Sequence, residues 1–399
     1  MNFSNRINSI FYSNVRNLVP FIEAAQKEGI FVHEMHIGQP NLPTPAQFLN
    51  TAKSIEEKIL KYTNSKGIED LLIAFSNVYK QLDIDVSQDD ILITQGGSEA
   101  LIFTISTICD EGDEVLIFEP FYSNYDSFLK LSGAKMVTAE LKIENQYALP
   151  PKEEILSKIT PKTKAILLSN PNNPIGAVLT EEEMNLICEI ALEKDLFIIS
   201  DEVYRHFIYG DEFYKSFLQF DSVSDRVIII DSISKNYSAC GARIGAIVSK
   251  NNEFIAHALK LCQARLSVST IDQIATSKLL GAANENIEFA KKTYKERRDT
   301  LCELLNQIDG VVCVVPKSAL YVFIQLPIED TDIFAEWLLR DFTYKGETLS
   351  FAPGSGFYQD PIKGKQKVRF SFCASTPEEI KRAMKILEEG MKEYLSNNQ

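Results

Sequence analysis

Val227-Ile-Ile-Ile-Asp231-Ser232-Ile-Ser-Lys235-Asn-Tyr-Ser-Ala-Cys240-Gly241-Ala-Arg243-Ile-Gly245 joins an apolar run to a cluster of polar side chains. The consecutive apolar residues 227–230 predict a strand covered on both faces, as in a mostly parallel sheet. Such sheets place their ligands beyond the carboxyl ends of the strands, and Lys235 falls there. A lysine amine in that position can form an imine with an aldehyde, provided its pKa is lowered so that free amine exists. Ser232, and Arg243 eight positions beyond Lys235, could hold a phosphate, the arginine through paired N–H groups. Gly241 and Gly245 permit tight turns around that anion. A lone Ser-x-x-Lys would read as a surface lysine after a strand; the whole constellation makes that the weaker reading.

Residues 91–94, 114–118, 135–139, 165–169, 197–201 and 246–249, several of them apolar on consecutive positions, are further strand candidates, with helices at 98–109 and 180–194 between them. The second helix opens with Thr180 and Glu183, the spacing of a capping box. Repeated strand–helix units predict an α/β domain, three layers around a mostly parallel sheet, over residues 45–280. Beyond it the pattern changes to a charged helix at 284–308, separated strands at 311–315, 321–325, 348–351 and 368–372, and a closing helix at 377–394. Residues 281–399 are assigned, with residues 1–44, to a smaller α+β domain.

Two further strand ends carry polar residues. Asn170-Pro-Asn-Asn173-Pro-Ile-Gly176 is by itself a good turn, but the Asn173 amide can donate into the cleft. Asp201-Glu-Val-Tyr204 closes another apolar strand. Desolvating an unpaired carboxylate is costly, so Asp201 is expected to cap a helix or to meet a cation such as a protonated pyridine nitrogen.

Composition excludes several classes of function. The 399 residues carry 41 Lys+Arg against 55 Asp+Glu, a net charge of −14, which argues against nucleic acid or an anionic membrane as the main partner. The longest apolar runs are far shorter than a membrane span. The start, MNFSNRINSIFYSNVR, lacks a secretory signal pattern, so cytoplasmic residence is expected. Seven scattered cysteines without a C-x-x-C pair read as reduced thiols, and four histidines without ligand spacing predict no metal site.

Asn173, Asp201 and Lys235, in this order and spacing, resemble the class I/II aminotransferases of the aspartate aminotransferase family, pyridoxal-phosphate (PLP) fold type I. The resemblance runs from His36-Ile-Gly38-Gln-Pro40 to Arg369. It implies that Lys235 forms the internal aldimine with PLP and later shuttles the substrate proton. It implies that Asp201 pairs with the pyridine nitrogen, while Asn173 and Tyr204 hydrogen-bond the 3′-oxygen. The phosphate would take backbone N–H groups of Gly97, Ser98 and Glu99 in Thr94-Gln-Gly96-Gly97-Ser98-Glu99, a helix start suited to an anion. Ser232 and Arg243 complete that cradle. Tyr122 resembles the aromatic that stacks on the ring, with Phe121 as the alternative. Tyr62 resembles a tyrosine that crosses a dimer interface to the neighbouring phosphate, which implies a homodimer with shared sites. Arg369 matches the clamp on the substrate α-carboxylate, and Gly38 would lend its backbone to the same group. The turn departs from the family pattern at Ile175, where threonine is usual.

The implied reaction moves an amino group between an L-amino acid and a 2-oxo acid in two half-reactions, with ping-pong kinetics. Aspartate or glutamate with 2-oxoglutarate is the expected pairing. Arg265 is expected to contact the distal carboxylate, against the plain reading of a helix-surface arginine. A C–S lyase on the same fold, or an aminotransferase for aromatic or methionine-type substrates, would share the cofactor residues. A PLP-sensing regulator is disfavoured, because the chain begins almost directly with the aminotransferase pattern and is acidic.

Overall fold

Alternation along the apolar strands builds the centre of the molecule. Leu116 and Phe118, Ile166 and Leu168, Ile229 and Val227 face one apolar layer, while Val115 and Ile117, Ala165 and Leu167, Ile228 and Ile230 face another. A strand whose every residue is apolar thus needs helices on both faces, and each fully buried Ile or Val there contributes roughly 1.5–3 kcal/mol. The computed structural model describes residues 1–10, 12, 14–280 and 284–397.

In chain order the described strands are β1 (Phe31–Glu34), β2 (Ile91–Thr94), β3 (Glu114–Glu119), β4 (Lys135–Glu140), β5 (Thr163–Ser169), β6 (Phe197–Asp201) and β7 (Val227–Ser232). They continue with β8 (Gly245–Val248), β9 (Val312–Cys313), β10 (Tyr321–Gln325), β11 (Glu347–Ser350), β12 (Ala352–Pro353) and β13 (Lys367–Ser371). The main sheet has seven strands in the order β2-β8-β7-β6-β5-β3-β4. Only β8 opposes the rest, pairing antiparallel with both β2 and β7. This is the three-layer α/β architecture read from the sequence. Thr180 Oγ1 accepts from Glu183 N at 3.2 Å and the Glu183 carboxylate accepts from Thr180 N at 2.9 Å. That capping box starts the helix Glu181–Lys194 as its spacing predicts.

The remaining strands form two small sheets. β12, β13, β10 and β9 pair antiparallel, and β1 lies parallel to β11. A second apolar centre joins them to the N-terminal helix Val19–Lys27 and the closing helix Pro377–Asn397, through Leu18, Ile22, Phe334 and Leu387. Tyr204 and Phe207, which follow β6, belong to this second centre. The loop that leaves the main sheet is therefore locked onto the small one. The strand expected at 311–315 shortens to β9, and the one at 348–351 is β11, which ends one residue earlier at Ser350.

Candidate active site

Because β8 opposes both neighbours, β2, β5, β6 and β7 run the same way and end on one edge. A cavity of about 400 Å³ opens beyond that edge. Gly97 and Ser98 after β2, Asn173 after β5, Asp201 and Tyr204 at β6, and Ser232 and Lys235 at β7 all line it. Arg243, just before the reversed strand β8, starts from the same edge and lines it too. The topology thus gathers side chains from four chain segments, as strand-end sites in α/β sheets do.

Asp201 is buried, and its partners are neutral: Tyr125 Oη donates to Oδ2 at 2.9 Å and Val203 N to Oδ1 at 3.4 Å. Burial pushes its carboxyl up to about 6 against the pull of those donors. The carboxylate is therefore set to receive a cation. Lys235 Nζ donates to Gly38 O at 2.5 Å. Burial pulls this amine down, but Tyr321, Cys240, Cys373 and Tyr122 turn the net direction upward. Imine chemistry requires the amine lowered instead. A protonated pyridine ring nearby is the charge that would lower it.

The helix Gly96–Ile108 begins at the same edge. Gly96 has φ of 75°, and a Cβ there would collide with the Arg243 guanidinium. Arg243 itself is anchored by Nη1 to Cys240 O at 2.9 Å and Nη2 to Gln95 O at 3.3 Å. Ser232 Oγ donates to Ile244 O at 3.1 Å and accepts from Ser234 N at 3.1 Å. A guanidinium, a hydroxyl and a helix start converge on one end of the cavity, the combination an oxyanion needs.

The small sheet supplies the opposite wall. Arg369 on β13 donates from Nη1 to Asn173 Oδ1 at 3.1 Å and from Nη2 to His36 O at 2.9 Å. Its guanidinium lies 4.3 Å from the Tyr321 ring centre and 5.0 Å from that of Phe357, while its Nε has no partner among the described residues. Tyr321 Oη is also 2.9 Å from Tyr204 Oη, and a Cβ on Gly38 would collide with it. Gly38 is therefore a close-approach glycine whose carbonyl and backbone face the lysine.

Tyr122 lines the cavity, and Phe121 is buried away from it. Tyr122 Oη accepts from Asn124 Nδ2 at 2.9 Å, and its ring meets Tyr125 edge-on at 5.4 Å. Three expected residues stand outside the cavity. The Glu99 carboxylate turns back to accept from Gln95 N at 2.8 Å. Tyr62 is 80% exposed. Arg265 ends the helix Asn252–Arg265 with Nη2 donating to Ile93 O at 3.0 Å and Nε 3.4 Å from Glu99. The Arg265 guanidinium thus buttresses β2 and the helix start, outside the cavity of its own chain. Tyr125 and Tyr321 went unread in the sequence, since neither sits in a motif. Each is a lone aromatic whose role depends on a partner far along the chain.

A primary amine, a buried carboxylate without a cation, and an anion cradle at the far end are together the complement of a phosphorylated pyridine aldehyde. The residues present fit PLP. Among the described residues no helix is long and apolar enough to cross a membrane. Residues 33–387 match the family model for aminotransferase class I and II. The chain is 32% identical over 400 residues to an aspartate aminotransferase of Musicola paradisiaca, covering 98% of this chain and 97% of that one. It is 34% identical over 379 residues to the (5-formylfuran-3-yl)methyl phosphate transaminase of Methanocaldococcus jannaschii, covering 94% and 95%. The crystal structure of aspartate aminotransferase from Thermotoga maritima superposes with a TM-score of 0.89 at 29% identity, covering 98% of this chain and all of the other. By fold, site and kinship, this chain belongs to the class I and II aminotransferases and is a PLP-dependent aminotransferase.

Proposed function

We propose that the chain transaminates dicarboxylic amino acids, aspartate and glutamate, with 2-oxoglutarate as acceptor, in amino-acid biosynthesis in the cytoplasm. The observation that carries the reading is the pairing of Lys235 and Arg369 across one cavity with Asp201 at its floor. PLP, when bound, supplies the aldehyde and an electron-accepting ring. Everything else falls to the chain. Arg369 fixes the α-carboxylate, with Asn173 and Gly38 beside it, so that the Cα–H faces Lys235 Nζ. Lys235 Nζ would be the base that takes the Cα proton and the acid that gives a proton back. Asp201 would hold the pyridine nitrogen protonated, and Asn173 and Tyr204 would hydrogen-bond the 3′-oxygen. Tyr122 would cover the ring face, while backbone N–H groups of Gly97, Ser98 and Glu99 with Ser232 and Arg243 would hold the phosphate. The exposed Tyr62 is assigned to the phosphate of a second subunit in a homodimer. The large unit at 45–280 and the small one formed by 1–44 and 281–399 then close the site between them.

The test is the absorption spectrum of the purified protein with PLP, before and after L-aspartate and then 2-oxoglutarate, with Lys235→Ala as control. A cofactor band that shifts with the donor and returns with the acceptor is expected. A band that no amino acid moves would sink the transaminase reading. One that shifts for aspartate and yields many equivalents of 2-oxo acid per site without any acceptor would favour lyase chemistry, since a transaminase stops after one.

A further inference from the structure

We infer that Arg16 sets the substrate class, taking the distal carboxylate of a dicarboxylic amino acid while Arg369 takes the α-carboxylate. This rests on the substrate reading above and gives it a residue within the cavity of the same chain.

The first argument is charge balance in the cavity. Its lining holds four cations, Arg16, Lys235, Arg243 and Arg369, and a single carboxylate, Asp201, in a chain of net charge −14. Three of the cations answer to groups already placed: Lys235 to the aldehyde, Arg243 to the phosphate, Arg369 to the α-carboxylate. Asp201 answers to the ring nitrogen. Arg16 is left without an anion, and no described residue forms a hydrogen bond or ion pair with it. A substrate with one carboxylate leaves it so; a substrate with two does not.

The second argument is position. Arg16 rides on the short helix Asn14–Asn17, which packs against β12 and the turn Gly354–Phe357. In β12, Ala352 sits opposite Arg369 in register, and the Phe357 ring stacks near the Arg369 guanidinium. The helix is thus fastened to the elements that flank Arg369. His36 confirms the proximity from another side. Its carbonyl accepts from Arg369, and both ring nitrogens are buried without partners. Burial first, then the charges of Arg369 and Arg16, push its ring down to about 4. A neutral His36 leaves the Arg369 and Arg16 guanidinium groups as the charges that act on its ring. Arg16 is solvent-exposed at the mouth, so its side chain can swing onto a carboxylate without breaking a buried contact.

The test uses the PLP-loaded protein and two chain-length-matched probes, succinate and butyrate, with binding read from the cofactor absorption or by calorimetry. The unmodified protein is expected to bind succinate about 10- to 100-fold tighter, the value of a charge-assisted hydrogen-bonded contact. Arg16→Gln should erase that gap, and Arg16→Lys should keep part of it. The ratio of kcat/KM for aspartate over alanine should fall in parallel. An unchanged succinate-to-butyrate gap in Arg16→Gln overturns the inference, as does the absence of any gap in the unmodified protein. If aspartate and glutamate are not turned over, yet the gap exists and depends on Arg16, the substrate reading fails while the residue assignment stands.

Discussion

Two buried carboxylates close neighbouring strands of the main sheet, and their surroundings differ in one respect. Asp231, on β7, meets Arg205 Nη1 at 2.6 Å, Tyr79 Oη at 3.0 Å and the Ser232 N–H at 2.7 Å. Asp201, on β6, meets only neutral donors. A carboxylate buried with a guanidinium and further donors is complete; breaking such a pair leaves an uncompensated charge. A carboxylate buried without a cation is unfavourable in the protein alone and becomes favourable only when a cation arrives. The difference separates structure from function at adjacent positions: Asp231 holds the strand ends together, and Asp201 waits for a ligand.

The comparison breaks most visibly at the complete site. Arg205→Met should cost about 3–5 kcal/mol in urea unfolding, because Asp231 is left charged and buried. Adding Asp231→Asn should recover part of the loss, since the amide oxygen still accepts from Tyr79. If the double variant is no better than the single one, the pair is not the unit described. At the incomplete site the effects should invert. Asp201→Asn should reduce kcat about 100- to 1000-fold, the scale of one misplaced electrostatic group in an active site. It should leave the melting temperature of the protein without PLP no lower than before. A large loss of stability there would make Asp201 a structural residue like its neighbour.

Little of this contrast was legible in the sequence, although much of the sheet was. The seven main strands sit where consecutive apolar residues predicted them, because a strand buried on both faces leaves a local trace. β1 left none. Its four residues find their partner in β11, so that Phe31 faces Glu347, and only the folded chain brings them together. The site divides in the same way. Lys235, Asp201, Asn173 and Arg243 lie at strand ends within readable motifs and do share a cavity. Tyr125, Tyr321 and Arg205 act through partners 76, 117 and 26 residues away, as with Tyr125 to Asp201, Tyr321 to Tyr204, and Arg205 to Asp231 (231 − 205). No spacing rule reveals such pairs. Nor did the sequence reveal that the Arg265 guanidinium turns to Ile93 O, 172 residues away.

The contrast sharpens further on titration. Folded Asp201 keeps its proton up to about 6, while an unfolded aspartic acid releases it near 3.8. Between those values the folded chain binds more protons, so this group lowers stability as pH rises across the window. The melting temperature of the protein without PLP should carry that fall, and Asp201→Asn should remove it. PLP affinity should run the other way, strengthening as pH rises through about 6, because the ring cation needs the ionised carboxylate.

Tyr125→Phe gives the finest and smallest discrimination. It removes one donor from Asp201, costs about 1 kcal/mol of stability, and keeps the ring that packs edge-on to Tyr122. Since that hydrogen bond pulls the Asp201 carboxyl down, its loss should move the midpoint of the PLP affinity curve to higher pH. Tyr79→Phe removes an equivalent donor from Asp231, which retains Arg205. Its stability cost should be similar and its effect on the midpoint much smaller. Equal shifts from the two variants would mean that the neighbouring carboxylates titrate as one unit, and that the guanidinium on Asp231 is not what sets them apart.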